Sequence, residues 1–333
     1  MTTEHPFAQF VRILGKGRTG SRDFTEQEAE EVMRMILANE ITAEQLGAVL
    51  MLLRVKEETP AEIAGFVRAI KKSFELPSDR PAVDVDWSSY AGKRRHLPWY
   101  ILSALLLAQN GITVFMHGAS GHTAGRIYTR DVLALLGLPA ARSFAEACDQ
   151  LTKNHFSYMD LEHMSPRLHQ IIELRPVLGL RSPVHTVARL INPMDATHVI
   201  TAIHHPGYHP THQESSRLLG HAHAAVVKGE GGEIERNPDM ETLVKTLHGD
   251  TMEDELWPAM FKKRHVKPAE LNPASLAAVW RGEYEDEYGE AAIIGTAAIV
   301  LKTMGRTATM EAAEALASEM WQLRPKETLA AVA

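Results

Sequence analysis

Apolar residues recur at helical spacing three times near the N-terminus, each time behind a start signal. Thr25 and Glu28 form a capping-box pair, in which hydroxyl and carboxylate each satisfy an orphan backbone N–H; Ala29, Val32, Met33, Ile36 and Leu37 follow on one face. Thr42 and Gln45 repeat the pair ahead of Leu46, Val49, Leu50 and Leu53. Thr59, Pro60 and Glu62 open a third run, with proline at the first helical position, where its missing N–H costs nothing, and Ile63, Phe66, Val67 and Ile70 line its apolar side. The pattern predicts a small helical-bundle domain over residues 1–78, with a linker at Pro77 to Pro81. Beyond it the period changes. Short β-rich runs at 82–85, 112–116, 198–203 and 224–227 alternate with helical stretches at 97–109 and 127–136, the latter closed by Gly111 and Gly137. The end of the chain, 289–304 and 309–323, is again helical. This alternation predicts a larger α/β domain over 79–333 with a mostly parallel central sheet.

Composition narrows the class. With 333 residues, 45% of them hydrophobic, the chain has enough apolar material for about two folded domains. The net charge of −7 argues against a global basic excess for nucleic acid, so such a partner would need a local patch. Cys148 is the one cysteine, which excludes an intrachain disulfide and reads as a small buried hydrophobe in a reducing compartment. The apolar runs at 101–108 and 297–301 fall well short of the ~20 residues a membrane span needs, and the N-terminus carries no secretory pattern. The expectation is a soluble cytoplasmic protein with no membrane partner.

In an open α/β sheet, ligands bind beyond the carboxyl ends of the strands, so the loops that follow strands hold the candidate chemistry. Three stand out: WSSYAGKRRH (87–96), HGASGHTAGR (117–126) and KGEGGE (228–233). Small residues let a ligand approach the backbone, while Lys93, Arg94, Arg95, His122, Arg126 and Lys228 supply positive charge for a phosphate or another anion. No Walker loop or Rossmann glycine fingerprint is present. His204, His205, His209 and His212 fall in the proline- and glycine-broken HHPGYHPTH, which reads as satisfied or surface histidines rather than a zinc site. Lys262 to Lys267, KKRHVK, reads as a solvated face. Trp87, Tyr90, Trp99 and Tyr100 beside KRRH read as core, with base stacking as the alternative.

The stretch from Phe24 to Ile70, FTEQEAEEVMRMILANEITAEQLGAVLMLLRVKEETPAEIAGFVRAI, resembles the N-terminal helical domain of the anthranilate phosphoribosyltransferase family, shared with the pyrimidine nucleoside phosphorylases. The order of VDV, ITVFMHG, DVLALLG, LRPVLGLRSPVHTVARLINP and VVKGEGGE is similar too, so the resemblance runs from Phe7 to Leu323. It implies a helical domain hinged to an α/β domain, the 165–195 segment packing back on the helical domain, a homodimer through the helical domains, and a phosphorylated ribose-type ligand in the cleft. The family's Gly-Thr-Gly-Gly-Asp phosphate loop corresponds to Trp87, Ser88, Ser89, Tyr90 and Ala91, where bulk replaces glycine. Its Lys-His-Gly-Asn-Arg motif survives as Met116, His117 and Gly118, and its Asn-Leu-Leu-Gly-Pro segment has become residues 185–189. The magnesium-holding Asp-Glu pair aligns with Gly232 and Glu233, leaving Glu233 as a weakened metal ligand. Arg175 aligns with the arginine that contacts the anthranilate carboxylate. The binding set expected is Lys93, Arg94, Arg95, His117, Gly118, His122, Thr123, Arg126, Arg175 and Lys228, with no catalytic residue assigned. The departures argue against anthranilate phosphoribosyl transfer itself. Two readings stay open: a divergent pentosyl-transferring protein with an altered substrate, or a non-catalytic protein that binds a nucleic-acid backbone in the same basic cleft.

Overall fold

The computed structural model describes residues 3–329. The N-terminal bundle comprises α1 (Ala8–Gly15), α2 (Glu26–Leu37), α3 (Ala43–Lys56) and α4 (Pro60–Lys72). All three threonine capping boxes form as the sequence predicts. Glu62 does more than cap. Its carboxylate, fully buried, accepts from the N–H of Thr59 (2.8 Å) and of Phe24 (2.9 Å) and from Lys56 Nζ (2.8 Å), joining the start of α4 to the start of α2. Gly65 lets these two helices touch, because a Cβ there would collide with the Glu26 carbonyl oxygen.

The α/β domain is built on β1 (Val85–Ser89), β2 (Val114–Gly118), β3 (Phe156–Asp160), β4 (His198–Ala202), β5 (His223–Val227), β6 (Thr242–His248) and β7 (Thr251–Trp257). They lie in the order β3-β2-β1-β4-β5-β6-β7; the first five in sequence are parallel and the β6–β7 hairpin is antiparallel. The chain moves outward from β1 to β2 and β3, then returns to place β4 on the other side of β1. That reversal opens a crevice beyond the carboxyl ends of β1 and β4.

Between the strands lie α5 (Tyr100–Gln109), α6 (Thr129–Leu135), α7 (Phe144–Asn154), α8 (Leu161–Met164), α9 (Pro166–Glu173), α10 (Arg175–Leu178), α11 (Val184–Val187) and α12 (His209–Leu218). The C-terminal helices are α13 (Ser275–Arg281), α14 (Glu287–Thr303) and α15 (Met310–Leu323). One core packs Trp87, Trp99, Leu102 and Trp257 with α13–α15; a second joins Phe115 and Met159 of the sheet to Phe66 and Ile70 of α4 and to Leu168, Val187 and Ile191. The 165–195 segment thus shares its core with the helical bundle, and Arg167 Nε donates to the Ile36 carbonyl at 3.2 Å. No described helix is long and apolar enough to cross a membrane.

Three sequence expectations shift. The sequence pattern predicts the first strand at 82–85, whereas it spans Val85–Ser89, so Trp87, Ser88 and Ser89 pair in register with Met116, His117 and Gly118 instead of forming a loop. β3, β6 and β7 were not anticipated. Cys148 is partly exposed rather than fully buried. Trp87, Tyr90, Trp99 and Tyr100 are 0–2% exposed, as the core reading expects, and none is free to stack a base.

Candidate functional site

The crevice at the reversal holds a cavity of about 420 Å³. Six segments converge on it: the end of α3 (Arg54, Glu58), the loop after β1 (Lys93, Arg94, Arg95), Arg126, the stretch from Arg181 to Arg189, the loop after β4 and the loop after β5. Arg94 and Arg95 are exposed at its mouth, Arg126 and Arg181 are half-buried, and Arg189 is buried in its wall. Arg189 Nη1 donates to the Gly232 carbonyl at 2.9 Å; Arg126 Nη1 donates to the carbonyls of Ala91 (2.8 Å) and Gly92 (3.0 Å). Among the described residues, no carboxylate lies within 4.0 Å of the guanidinium nitrogens of Arg94, Arg95, Arg126, Arg181 or Arg189. Burial and the neighbouring Arg175, Arg126 and Arg189 push the Arg181 guanidinium below its ordinary pKa. Guanidinium groups remain charged at neutral pH, so this clustering is an unneutralised demand for anionic oxygens.

Lys93 is the exception. Its ammonium, with the side chain 1% exposed, contacts Glu235 Oε1 at 2.6 Å and Glu230 Oε2 at 3.1 Å. Burial pushes its pKa down, but the two carboxylates outweigh burial and hold it above the ordinary lysine range. Its charge is spent inside the chain rather than offered to a ligand.

Histidines complete the wall. Burial, with nearby arginines, lowers His185 and His212 to about 3; His122, whose ring centroid is 5.6 Å from that of His185, falls to about 4 for the same reasons. All three are neutral at pH 7. Both ring nitrogens of His212 and His122, Nε2 of His185, Oγ of Ser182 and Oε2 of Glu58 are buried without a partner. These polar atoms are not used by the chain itself and are available to a ligand in or beside the cavity.

The expected binding set divides. Lys93, Arg94, Arg95 and Arg126 are brought to the cavity, and His122 stands beside it. The others do not line it. His117 is fully buried, its Nδ1 paired with Tyr90 Oη at 2.8 Å and its Nε2 3.3 Å from Asp86 Oδ1, because β2 extends through it. Gly118 sits in β2 where a Cβ would collide with the Ser89 carbonyl oxygen. Arg175 turns onto the loop after β2, donating to Thr123 Oγ1 (2.6 Å) and the His122 carbonyl (3.3 Å), which engages both Arg175 and Thr123 outside the cavity. Lys228 is exposed away from it, its N–H paired with the Leu243 carbonyl of β6. The KKRHVK run is largely exposed, with His265 held by Asp239 and Glu287, in line with a solvated face.

Glu233 does not fit the magnesium role. Its Oε1 accepts from the backbone N–H groups of Ala91 and Gly92, both at 2.5 Å. The same contacts consume the amides that a phosphate-cradling loop would present. Glu235 is occupied by Lys93 and by the N–H of Tyr100 at 3.0 Å. Among the described residues, no group of three or more His, Cys, Asp or Glu is placed to hold a metal, the HHPGYHPTH loop included. In that loop His209 is buried against the Ile203 carbonyl, whereas His204, His205 and His212 line the cavity, a role the sequence reading did not give them. Arg54, Arg181, His185 and Arg189 were also missed; the available signal was Arg189, a charge set inside the buried run Val187, Ala188, Leu190 and Ile191.

Comparison with known proteins gives the family. Residues 11–74 match the helical bundle domain of a glycosyl transferase family and residues 100–322 its a/b domain. The chain belongs to this family. An uncharacterized protein from Aquifex aeolicus is 31% identical over 246 residues, covering 73% of each chain. Anthranilate phosphoribosyltransferase from Oceanobacillus iheyensis is 26% identical over 235 residues, 70% of this chain and 68% of its own. Among solved structures, anthranilate phosphoribosyltransferase from Saccharomyces cerevisiae in complex with PRPP and Mg superposes with a TM-score of 0.78 at 15% identity, covering 96% of this chain and 94% of that one. At that identity the likeness concerns the fold. This glycosyl transferase family member has the helical bundle domain and the a/b domain of that family.

Proposed function

We propose that the cleft binds a phosphorylated ribose-type ligand whose phosphate charge is met by arginines rather than by a divalent metal. The observation that carries the reading is the set of arginines without carboxylate partners, Arg94, Arg95, Arg126, Arg181 and Arg189, drawn from separate segments to one cavity. Guanidinium forks match phosphate oxygens in geometry as well as charge. A volume of about 420 Å³ suits a small ligand. The relative named as binding PRPP does so with Mg; here the carboxylates at the corresponding loop are engaged by Lys93 and by the backbone of residues 91 and 92. Anthranilate transfer by the family's metal-assisted route is therefore not part of the proposal; pentosyl transfer to another acceptor is. A homodimer through the helical domains and a cytoplasmic location belong to the same reading, the first resting on the family resemblance and the second on a single cysteine in a reducing compartment.

A thermal-shift series in EDTA tests this with PRPP, inorganic pyrophosphate and a single-stranded oligonucleotide. A ligand at 100 times its Kd adds about 2.7 kcal/mol of stability. The melting temperature is expected to rise with PRPP or pyrophosphate. A rise with the oligonucleotide alone, erased by moderate salt, would move the assignment to nucleic-acid binding.

A further inference from the structure

We infer that the Lys93 ammonium is a resident counter-ion standing where a divalent cation would otherwise be held between Glu230 and Glu235, and that removing it turns these carboxylates into a divalent-cation site. This concerns the chain's own ions and does not depend on which ligand the cleft takes.

The ammonium has what a bound cation has. It is compact, almost wholly removed from solvent, and fitted with carboxylate oxygens at 2.6 and 3.1 Å from two positions of the loop after β5. Glu235 is itself 1% exposed in its side chain and is aimed by the Tyr100 N–H on its other oxygen. Glu233, two residues before it, is turned instead to the backbone N–H groups of Ala91 and Gly92. Hard cations such as Mg²⁺ and Mn²⁺ take oxygen ligands of this kind, commonly one or two carboxylates completed by water. The lysine backbone is fixed independently of its side chain: the N–H and carbonyl of Lys93 pair with the carbonyl and N–H of Ile127 at 2.9 and 2.8 Å. Truncating the side chain therefore leaves the loop in place and the carboxylates facing a vacated, water-sized space. The buried Glu235 and the part-buried Glu230, left without their counter-charge, favour taking up a cation.

The test uses Mn²⁺ alone, followed by electron paramagnetic resonance, with the full-length native protein, Lys93→Ala, Lys93→Ser and the double variant Lys93→Ala/Glu235→Gln. Lys93→Ala and Lys93→Ser are expected to bind one Mn²⁺ at least about tenfold more tightly than the native chain, and the double variant to return to the native level. Folded single variants that bind no more tightly than native overturn the inference. So does a native chain that already binds Mn²⁺ as tightly as they do. Circular dichroism is recorded with and without Mn²⁺; single variants that unfold in EDTA are expected to regain the native spectrum with the ion, and persistent unfolding overturns the inference equally. Because the readout is the metal alone, failure here leaves the phosphate-binding reading to be judged on its own series.

Discussion

At the scale of single residues, what separates Lys93 from the arginines around it is who their neighbours are. Lys93 meets two carboxylates, whereas Arg181 meets other arginines, and burial beside them is costly until an anion arrives. Half of this was legible. The KRRH and HTAGR loops carry their charges in the open, at strand ends where ligands bind, but nothing in the spelling of KRRH says that its lysine turns inward to Glu235 while its arginines turn out. The arginine cluster also sets the histidines. With His185 and His212 held at about 3 and His122 at about 4, their rings stay neutral at pH 7, and a bound anion reverses part of the repulsion. Imidazole resonances followed by NMR are expected to titrate below pH 5 in the free protein and to move upward with saturating pyrophosphate. Titration near the ordinary value of about 6.5, unchanged by pyrophosphate, would contradict this.

At the scale of elements, the helices were easier to read than the strands because their start signals are local chemistry. A threonine and a carboxylate or amide three residues apart are enough to fix where α2, α3 and α4 begin. Glu62→Ala removes a cap and leaves the N–H groups of Thr59 and Phe24 unpaired, while Lys56 keeps Asp23 at 2.7 Å; it is expected to cost about 2–3 kcal/mol in urea unfolding, and a loss under about 0.5 kcal/mol would say that water replaces it freely. Strand boundaries depend on partners instead. Trp87 to Ser89 resemble a polar turn until β2 is laid beside them, and the β6–β7 hairpin has exposed polar positions that mask its alternation around Gly249 and Asp250. The close approach of β1 and β2 gives a direct check. Gly118→Ala forces a methyl against the Ser89 carbonyl and is expected to destabilise by about 1–3 kcal/mol, measured by the urea midpoint, whereas a neutral result would show the strand end to be loose.

At the scale of the whole molecule, a chain of net charge −7 brings five arginines without carboxylate partners, Arg94, Arg95, Arg126, Arg181 and Arg189, to the crevice created by the reversal of strand order. The loops after the strands, read from the sequence, point to that crevice, but the family's motif positions do not foretell its lining, since the Arg181 and Arg189 side chains enter from a segment whose pattern reads as helix packing. Burying neutral histidines has a global consequence. His212 and His221, each at about 3 in the folded chain and about 6.5 when unfolded, bind fewer protons in the native state, so their contribution is complete above about pH 6.5 and is lost as pH falls toward 3. Unfolding free energy is expected to decline across that window by about 1.4 kcal/mol per pH unit for each such histidine, and less steeply in His221→Gln. A slope that His221→Gln leaves unchanged would contradict the assignment. On the proposed function, arginines alone hold the phosphate charge. Isothermal titration of inorganic pyrophosphate into native protein and Arg181→Ala, both in EDTA, tests it most directly. Binding without metal, weakened about ten- to hundredfold by the substitution, is the expected result; binding that appears only with Mg²⁺, or that Arg181→Ala leaves intact, would contradict it.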